Sequence, residues 1–473
     1  MSTMEPSVVE QTTVHHVVAM PFPGRGHINP MMNLCKLLLS SKEPNLLITF
    51  VVTEEWLSYI GSDPKPENIR FATMPNGVVP PESLKAVDFF GFYEAVMTKM
   101  EAPFERLLDQ LEPPVHSILG DVELPWVIGV GNRRNITVAS LWTMPATFFS
   151  MLHHFHLFAR SRHLPLDLSQ VEDKLVVDHI PGLSSAQVAD LQTLFHENDH
   201  RVVLLAMECI ERVSKAQYLL FTSVYELEPQ AIDSLNAIFP FSVYPIGPAI
   251  PYLELQQDRK HSSESSHNDP SYLQWLDSQP VGSVLYISLG SFLSVSSAQI
   301  GEIAAGLRDS GVRFLWVARG ESSSQLMKER CGGLGLVLPW CDQLKVLCHS
   351  SIGGFWTHCG WNSTLEAVFA GVPMLAFPLF LDQVANSRLI VEDWRIGWRI
   401  KRSKVGSDDQ ILVTKEEISE LVGRFMDLES GEVKELRERA RGLKYSCHQA
   451  IAEGGSSHSN LDAFRRGISQ SHG

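Results

Sequence analysis

The sequence predicts an α/β protein with two doubly wound, parallel-sheet domains. Short apolar runs alternate with amphipathic segments, which is the pattern of successive βαβ units. That alternation stops once, in a polar and serine-rich stretch at residues 253 to 270, and then begins again. A chain of 473 residues is also too long for a single hydrophobic core. These three observations together favour two domains of the same class.

The first half of the chain supplies the N-terminal domain, assigned to residues 1–252. VHHVVAMPF at 14–22 predicts a strand, PGRGHINP at 23–30 a loop, and MMNLCKLLLS at 31–40 a helix. Further buried strands are predicted for LLITFVV at 46–52, HSILGD at 116–121 and AQYLLFTSV at 216–224.

The stretch at 253–270 is interpreted as a surface linker, because it shows no apolar periodicity. A C-terminal domain follows at residues 271–450, with a helix predicted over 296–311 and another from Asn362 to Gly371. Its predicted strands are SVLYISLG at 283–290, RFLWVA at 313–318, IGGFWTH at 352–358 and VPMLAFPLF at 372–380.

Composition narrows the possible partners. The formal net charge of -15 argues against nucleic acid or an anionic membrane, since both bind basic surfaces. No apolar run approaches the ~20 residues that a membrane span needs. The seven cysteines are odd in number and scattered, with no metal-ligand spacing, so reduced thiols are expected. The N-terminal residues lack the pattern of a secretory signal, and we expect a cytoplasmic protein.

A strand-to-helix turn around His358 carries an unusual concentration of polar groups. The Cys359-Gly360 bend permits close approach of the backbone, and free amides at a helix start favour an anion. His358, Asn362 and Ser363 add side-chain donors, so the turn suits a pyrophosphate. An alternative remains open here: Ser363 and Glu366 match a capping box, in which Glu366 would only bond back to the helix start.

Asp382 and Gln383 follow the next predicted strand at its carboxyl end. Ligands of open α/β sheets bind outside the carboxyl ends of the strands. A carboxylate and an amide at this edge could bind sugar hydroxyls, much as Glu366 could hold a ribose diol. On spacing alone, a solvated loop is the simpler interpretation of this pair.

The stretch from Trp340 to Gln383 resembles the donor-binding signature box of plant small-molecule UDP-glycosyltransferases, an inverting family with the GT-B fold. In that fold two Rossmann-like domains face each other across a cleft. The matching positions are Trp340, Gln343, His349, Gly353, Phe355, Thr357, His358, Cys359, Gly360, Trp361, Asn362, Ser363, Glu366, Gly371, Val372, Pro373, Pro378, Asp382 and Gln383.

The resemblance implies a role for each donor-site residue. Trp340 would stack on uracil, whose edge is read by the backbone of Cys341. Gln343 and Glu366 would bind the ribose. The groups implied for the diphosphate are His358, Asn362, Ser363 and Ser291, and those implied for the sugar are the Trp361 backbone, Asp382 and Gln383. A glutamine at the end of the box is associated with glucose, so UDP-glucose is the expected donor.

The opposite domain should supply a base, because an acceptor hydroxyl must lose its proton as it attacks the sugar. His27 lies between the first strand and the first predicted helix, and imidazole suits proton transfer near neutral pH. Asp121 ends another strand, where a carboxylate could orient that ring. Both positions match the family's catalytic pair, which implies direct inversion without a metal or other cofactor. No Asp-x-Asp element for a metal is present.

The acceptor group is expected to be a hydroxyl or a carboxyl of a small lipophilic plant metabolite, such as a phenolic, flavonoid or terpenoid. Aromatic-rich segments at 88–97 and 141–158 are candidates for its pocket, with Phe148, Phe149 and Phe380 as the contacts. The resemblance also implies that residues 451–473 pack back on the N-terminal domain, and that the protein acts as a monomer.

Two other functions compete with this one. A catalytically silent nucleotide-sugar binding protein could share the fold, although binding alone needs neither His27 nor Asp121. An NAD-dependent oxidoreductase is disfavoured, because no G-x-G-x-x-G opens a helix with an acidic residue ~20 positions on.

Overall fold

The computed structural model describes residues 14–40, 45–63, 65–161, 180–188, 190, 199–261, 270–290, 295–318, 332–401, 403–405 and 410–470. They form two parallel sheets covered by helices, as the sequence predicts. Within these residues no helix has the length and apolar character needed to cross a membrane.

The N-terminal sheet has seven parallel strands in the order β3-β2-β1-β4-β5-β6-β7. The strands are β1 (His15–Met20), β2 (Leu46–Thr53), β3 (Ile69–Met74), β4 (Ser117–Asp121), β5 (Thr137–Trp142), β6 (Tyr218–Phe221) and β7 (Val243–Pro245). The helices are α1 (Arg25–Leu39), α2 (Glu54–Ile60), α3 (Glu82–Lys85), α4 (Phe89–Lys99), α5 (Glu101–Leu108), α6 (Pro125–Arg134), α7 (Ala146–Ser161), α8 (His200–Arg212) and α9 (Pro229–Ile238).

The C-terminal sheet has six parallel strands in the order β10-β9-β8-β11-β12-β13. The strands are β8 (Val284–Ser288), β9 (Arg313–Val317), β10 (Gly335–Leu338), β11 (Ile352–Thr357), β12 (Met374–Ala376) and β13 (Gly397–Arg399), with an antiparallel pair of β14 (Ser403–Val405) and β15 (Gln410–Leu412). The helices are α10 (Tyr252–His261), α11 (Ser271–Asp277), α12 (Ser297–Ser310), α13 (Gln343–Leu347), α14 (Trp361–Ala370), α15 (Gln383–Arg388), α16 (Lys415–Phe425), α17 (Gly431–Ile451) and α18 (Ser456–Gln470).

Both faces of each sheet are buried, which explains the nearly continuous apolar runs of the central strands. On β1, Val18 and Met20 pack into one core while Val17 and Ala19 pack into the core on the other face. Alternate residues of β8 divide in the same way between two cores of the C-terminal sheet. Each domain therefore has three layers, helices–sheet–helices.

The C-terminal helix α18 lies against the N-terminal sheet, where it packs on β6 and β7. Phe464 packs edge-on against Tyr218 at 5.4 Å between ring centroids. Asn460 donates its side-chain N–H to the Pro245 carbonyl at 2.9 Å. The last described residues thus belong to the N-terminal core, although α17 before them packs on α14 of the other sheet.

One local prediction is wrong, and the stretch predicted as a linker contains a helix that its composition did not indicate. PGRGHINP is not a loop throughout, because α1 begins at Arg25 and continues through Pro30. The stretch at 253–270 begins as helix α10, whose Tyr252 and Leu253 pack into the C-terminal core. Glutamate, glutamine and lysine are good helix formers, so the polar composition concealed a helix. Residues 262 to 269 lie outside the described residues.

Candidate active site

The candidate site lies between the carboxyl edges of the two sheets. Strand order reverses between β1 and β4 in one sheet and between β8 and β11 in the other. Such switch points open a crevice beyond the strand ends. The Asn362 side-chain N–H of α14 reaches across and donates to the Gly26 carbonyl of α1 at 2.9 Å. The segments that follow the four central strands therefore face one another.

The predicted pair, His27 and Asp121, is assembled in the structure. Asp121 ends β4 and is 3% exposed. Its Oδ2 lies 2.9 Å from His27 Nδ1, and its Oδ1 accepts the Glu123 backbone N–H at 3.0 Å. Thr143 Oγ1 lies 3.0 Å from the same ring nitrogen. Because the carboxylate can only accept, Nδ1 carries the proton in the neutral ring and Nε2 keeps a lone pair.

His27 stands in the first turn of α1 rather than in a loop. Pro30 lies one turn further on and has no N–H to give the Gly26 carbonyl, its usual intrahelical partner. That carbonyl accepts the Asn362 side chain instead. The proline that suggested a loop thus leaves a carbonyl available for the contact between the domains.

Sequence reasoning missed Glu123, which lies on the other side of the imidazole. Its Oε2 is 3.5 Å from His27 Nε2, and the residue is 9% exposed. Burial raises the pKa of the Glu123 carboxyl, and the neighbouring Asp121 charge adds to the increase, although His27 and Lys85 oppose it. The only sequence signal was an acidic residue inside the otherwise apolar segment after β4.

Opposing effects set the pKa of His27. Burial lowers it, but the Asp121 charge and hydrogen bond, together with Glu123, outweigh burial, so the pKa of His27 lies above its ordinary value. Lys85 acts in the opposite direction. A base with a raised pKa is well matched to proton abstraction near neutral pH.

His27, Asp121 and Glu123 also form the one group of potential metal ligands found among the described residues. Their ligand atoms lie within 4.8 Å of one another. A cation held there would use the Nε2 lone pair that proton abstraction requires. That the reaction of this site needs no metal ion stays a prediction.

On the opposite edge, the His358 ring is enclosed by two glycines. A Cβ at Gly290 would lie 2.8 Å from the ring, and one at Gly360 would lie 2.5 Å from it. Cys359, which lies between His358 and Gly360, has a φ of 65°, so the left-handed residue of the Cys359-Gly360 bend is the cysteine. This crowding fixes the imidazole at the start of α14, where helix amides favour an anion. Ser291, the next expected contact, lies outside the described residues.

The ribose-side residues form a connected network. Gln343 donates from Nε2 to Glu366 at 2.7 Å and to Ser363 at 2.9 Å, while Tyr286 donates its hydroxyl proton to Gln343 Oε1 at 3.1 Å. The capping-box alternative is wrong, because α14 begins at Trp361 with Gly360 as its N-cap. Burial raises the pKa of Glu366 to about 7, although Gln343 opposes the shift.

Asp382 and Gln383 stand where β12 leads into α15. Asp382 Oδ2 accepts from Asn386 at 2.7 Å, and Asn386 also donates to the Cys359 carbonyl at 2.7 Å. Gln383 Oε1 accepts the backbone N–H groups of Leu379 and Phe380. Burial raises the pKa of Asp382 to about 7, and the Glu123 charge contributes, so this carboxyl is coupled to the facing domain. The solvated-loop interpretation does not describe these contacts.

Trp340 and Trp361 differ in exposure. Trp340 is 61% exposed on the segment before α13, so its ring is open to a stacking partner. The adjoining Cys341 is buried, with Sγ 3.5 Å from the Tyr286 hydroxyl. Trp361 is 3% exposed and packs near Trp394, which fits a contribution from its backbone alone.

An apolar pocket opens beside Glu123. Phe148 lines it as expected, together with Phe89 and Tyr93 of α4. Phe149 does not: it is fully buried and packs on Trp142, Phe221 and Phe239 in the core. On a helix, adjacent residues point about 100° apart, so the two phenylalanines cannot share this pocket. Phe380 contacts Phe89 edge-on at 5.5 Å, at the rim.

Comparison with known proteins decides the family. Residues 207–420 match the family model described as UDP-glucoronosyl and UDP-glucosyl transferase. The chain is 52% identical to UDP-glycosyltransferase 87A2 of Arabidopsis thaliana over 470 residues, covering 99% of this chain and 100% of the relative. The chain belongs to the plant UDP-glycosyltransferase family. It is a glycosyltransferase, and the relatives do not favour a silent binding protein.

Two solved structures extend the likeness to the whole fold of this transferase. UGT2 of Phytolacca americana, complexed with UDP-2fluoro-glucose and pterostilbene, has a TM-score of 0.75 at 27% identity, covering 97% of this chain and 100% of that one. Os79 of O. sativa, in complex with U2F and trichothecene, has a TM-score of 0.77 at 26% identity, covering 96% and 100%. The transferase therefore has the GT-B fold.

Proposed function

We propose that this glycosyltransferase moves glucose from UDP-glucose, with inversion, onto a hydroxyl of a small lipophilic plant metabolite. The observation that carries the proposal is the oriented His27–Asp121 pair, which lies next to the contact that Asn362 of the other domain makes with Gly26. A protein that only binds a nucleotide sugar has no use for an oriented base.

The donor would lie along the carboxyl edge of the C-terminal sheet. Uracil would stack on the exposed Trp340, with its edge read by the Cys341 backbone, and the ribose would bind Gln343 and Glu366. The diphosphate would meet the amides at the start of α14 together with His358, Asn362 and Ser363, and Ser291 completes this set as a prediction. These assignments agree with the exposure of Trp340 and with the enclosed His358 ring.

Glucose would be recognised by Asp382, Gln383 and the Trp361 backbone. Since Gln383 Oε1 is held by two backbone N–H groups, its amide orientation is fixed and Nε2 is the end that can donate to a sugar hydroxyl. The relative from Phytolacca americana was solved with a fluorinated UDP-glucose, which supports the choice of donor.

The reaction would proceed in one displacement. The acceptor oxygen attacks the anomeric carbon, the bond from that carbon to the UDP oxygen breaks, and the acceptor proton passes to His27 Nε2. Asp121 stabilises the imidazolium that forms. The charge that develops on UDP is met by the helix amides of α14, so no metal is needed in this scheme.

The acceptor would enter the apolar pocket between α4, α7 and α8, with Phe148 in its wall and Phe380 at its rim. Solved relatives hold pterostilbene and a trichothecene, which are small and lipophilic. A monomeric state and a cytoplasmic location remain predictions.

UDP release from UDP-glucose, measured with a panel of phenolic, terpenoid and carboxylic acceptors, tests the proposal. We expect release that depends on the acceptor and falls by roughly 10²-fold or more in His27→Ala. UDP-galactose and UDP-xylose in parallel test the donor. Binding of UDP without release for any acceptor would support the binding-protein alternative instead.

A further inference from the structure

A second carboxylate, Glu123, stands on the side of His27 that faces the acceptor pocket. It is the one charged residue in the wall of that pocket, whose other lining residues are apolar or aromatic. Asp121 already orients the imidazole from the Nδ1 side, and Thr143 supports the same nitrogen. The reaction chemistry therefore leaves Glu123 without an assigned role.

The positions of the protons on His27 and Glu123 show which acceptor groups can bind between them. When His27 is neutral, it donates its Nδ1–H in a hydrogen bond to Asp121 and Nε2 offers a lone pair, and the carboxylate form of Glu123 also offers only lone pairs. The two acceptor atoms, Nε2 and Oε2, are 3.5 Å apart. A hydroxyl compound can donate its polar hydrogen to this pair of acceptor atoms. An acceptor with an ionised carboxylate has no polar hydrogen to donate.

The surrounding charges strengthen this discrimination. Asp121 and Asp382 lie nearby, and both interact electrostatically with Glu123. The nearest cation in the described residues around them, Lys85, is buried over the Phe22 ring with its Nζ 3.7 Å from Glu82. Its charge is thus shared with another carboxylate. An anionic acceptor would meet an excess of negative charge in a pocket that is poorly solvated.

Resting on the proposed function, we propose that Glu123 is a specificity-determining residue that admits neutral hydroxyl acceptors and rejects carboxylates. The products would then be glucosides rather than glucose esters. Glu123 acts through repulsion of the wrong acceptor as well as attraction of the right one. The base His27 fits the same conclusion, since an ionised carboxylate has no proton to remove.

The test uses pairs of acceptors that share an aromatic scaffold and differ in one group, beginning with 2-naphthol and 2-naphthoate. For each pair, kcat/KM with UDP-glucose and the Kd in the presence of UDP are measured for the wild type and Glu123→Gln. The matched control is Glu94→Gln, the same change at an exposed position on α4. Glu123→Ala serves as a second variant if the glutamine variant does not fold.

We expect the wild type to prefer the hydroxyl member by about 100-fold, and Glu123→Gln to reduce that preference by about 10-fold or more. The reduction should come from better binding of the carboxylate, because the amide can donate to it. Glu94→Gln should behave as the wild type.

Equal use of both members by the wild type, or a preference unchanged in Glu123→Gln and Glu123→Ala, would overturn the proposal. The Kd values do not depend on turnover. If the wild type transfers no sugar, the proposed function fails, while a hydroxyl preference in Kd that Glu123→Gln removes still supports the role of Glu123.

Discussion

Two regions of this transferase differ in how they are assembled: the proposed donor edge, from Trp340 to Gln383, and the reaction centre, formed by His27, Asp121 and Glu123. The proposed donor edge comes mainly from the continuous stretch Trp340 to Gln383, in which Gln343 donates to both Ser363 and Glu366. The reaction centre brings together residues as far apart as His27 and Asp121, 94 positions along the chain. It relies on buried charge rather than on neutral hydrogen bonds.

This difference indicates that donor binding and proton transfer depend on different residues. The donor edge offers helix amides, an exposed indole and an enclosed imidazole, which in the proposed function would recognise UDP without titrating a base. The reaction centre concentrates carboxyl groups around one histidine and so sets the pKa of that histidine. Substitutions at the centre should therefore change kcat, and those at the donor edge should change KM for UDP-glucose.

The largest effect is expected for His27→Ala. Loss of the base should lower kcat by about 10²- to 10⁴-fold while KM for UDP-glucose changes little. Steady-state UDP release measures both constants. His458→Ala, whose side chain is 40% exposed on α18, is the control and should keep full activity. If His27→Ala lost affinity for UDP-glucose and kept its kcat, donor binding and chemistry would not be assigned to separate regions.

A methyl group at Gly290 should have the next largest effect, on KM. Its Cβ would lie 2.8 Å from the His358 ring, and the backbone φ of 87° is unfavourable for alanine. We expect Gly290→Ala to raise KM for UDP-glucose by up to about 100-fold, because the imidazole must move.

Gly311→Ala is the matched control for this substitution. Gly311 has φ 66° and no atom within 4 Å of the added Cβ. This variant should lose about 1 kcal/mol of unfolding free energy, by thermal denaturation, with KM unchanged. Equal KM values for the two variants would show that His358 does not contact the donor.

Trp340→Ala should weaken donor binding by about 10-fold, the loss of one stacking partner for a base. Since the indole is 61% exposed, the melting temperature should change little. Calorimetric titration with UDP measures the affinity, and Trp340→Phe should restore most of it. A loss that phenylalanine fails to restore would argue against stacking.

The smallest effect concerns the pH profile. His27 must be neutral to accept a proton, so kcat/KM should rise with pH through its raised pKa. Glu123→Gln removes one negative charge that raises this pKa, while Asp121, Asp382 and Lys85 remain. The rising limb should therefore move to lower pH, giving about two- to three-fold more of the plateau activity at pH 6. A limb that stays in place would show that Glu123 does not act on the base.

The helix boundaries show where sequence patterns are sufficient. Gly371 was predicted to end α14, and it adopts φ 73° as the C-cap of that helix. Such a signal is local, because it depends on one backbone conformation that glycine adopts readily. The start of α1 was predicted wrongly, since two prolines and two glycines normally indicate a loop. What stabilises the helix there includes the Asn362 side chain from the other domain.

The sequence by itself determined the two parallel sheets and the position of Asp121 at the end of a strand, and it predicted the donor edge and the pairing of His27 with Asp121. Apolar periodicity and a continuous motif are properties of neighbouring residues, so they can be detected along the chain. Only the tertiary structure decided that Glu123 faces His27 and that Phe149 belongs to the core. Those facts depend on the directions of side chains and on contacts between distant segments. Tertiary packing determines both, and a local sequence pattern contains no information about them.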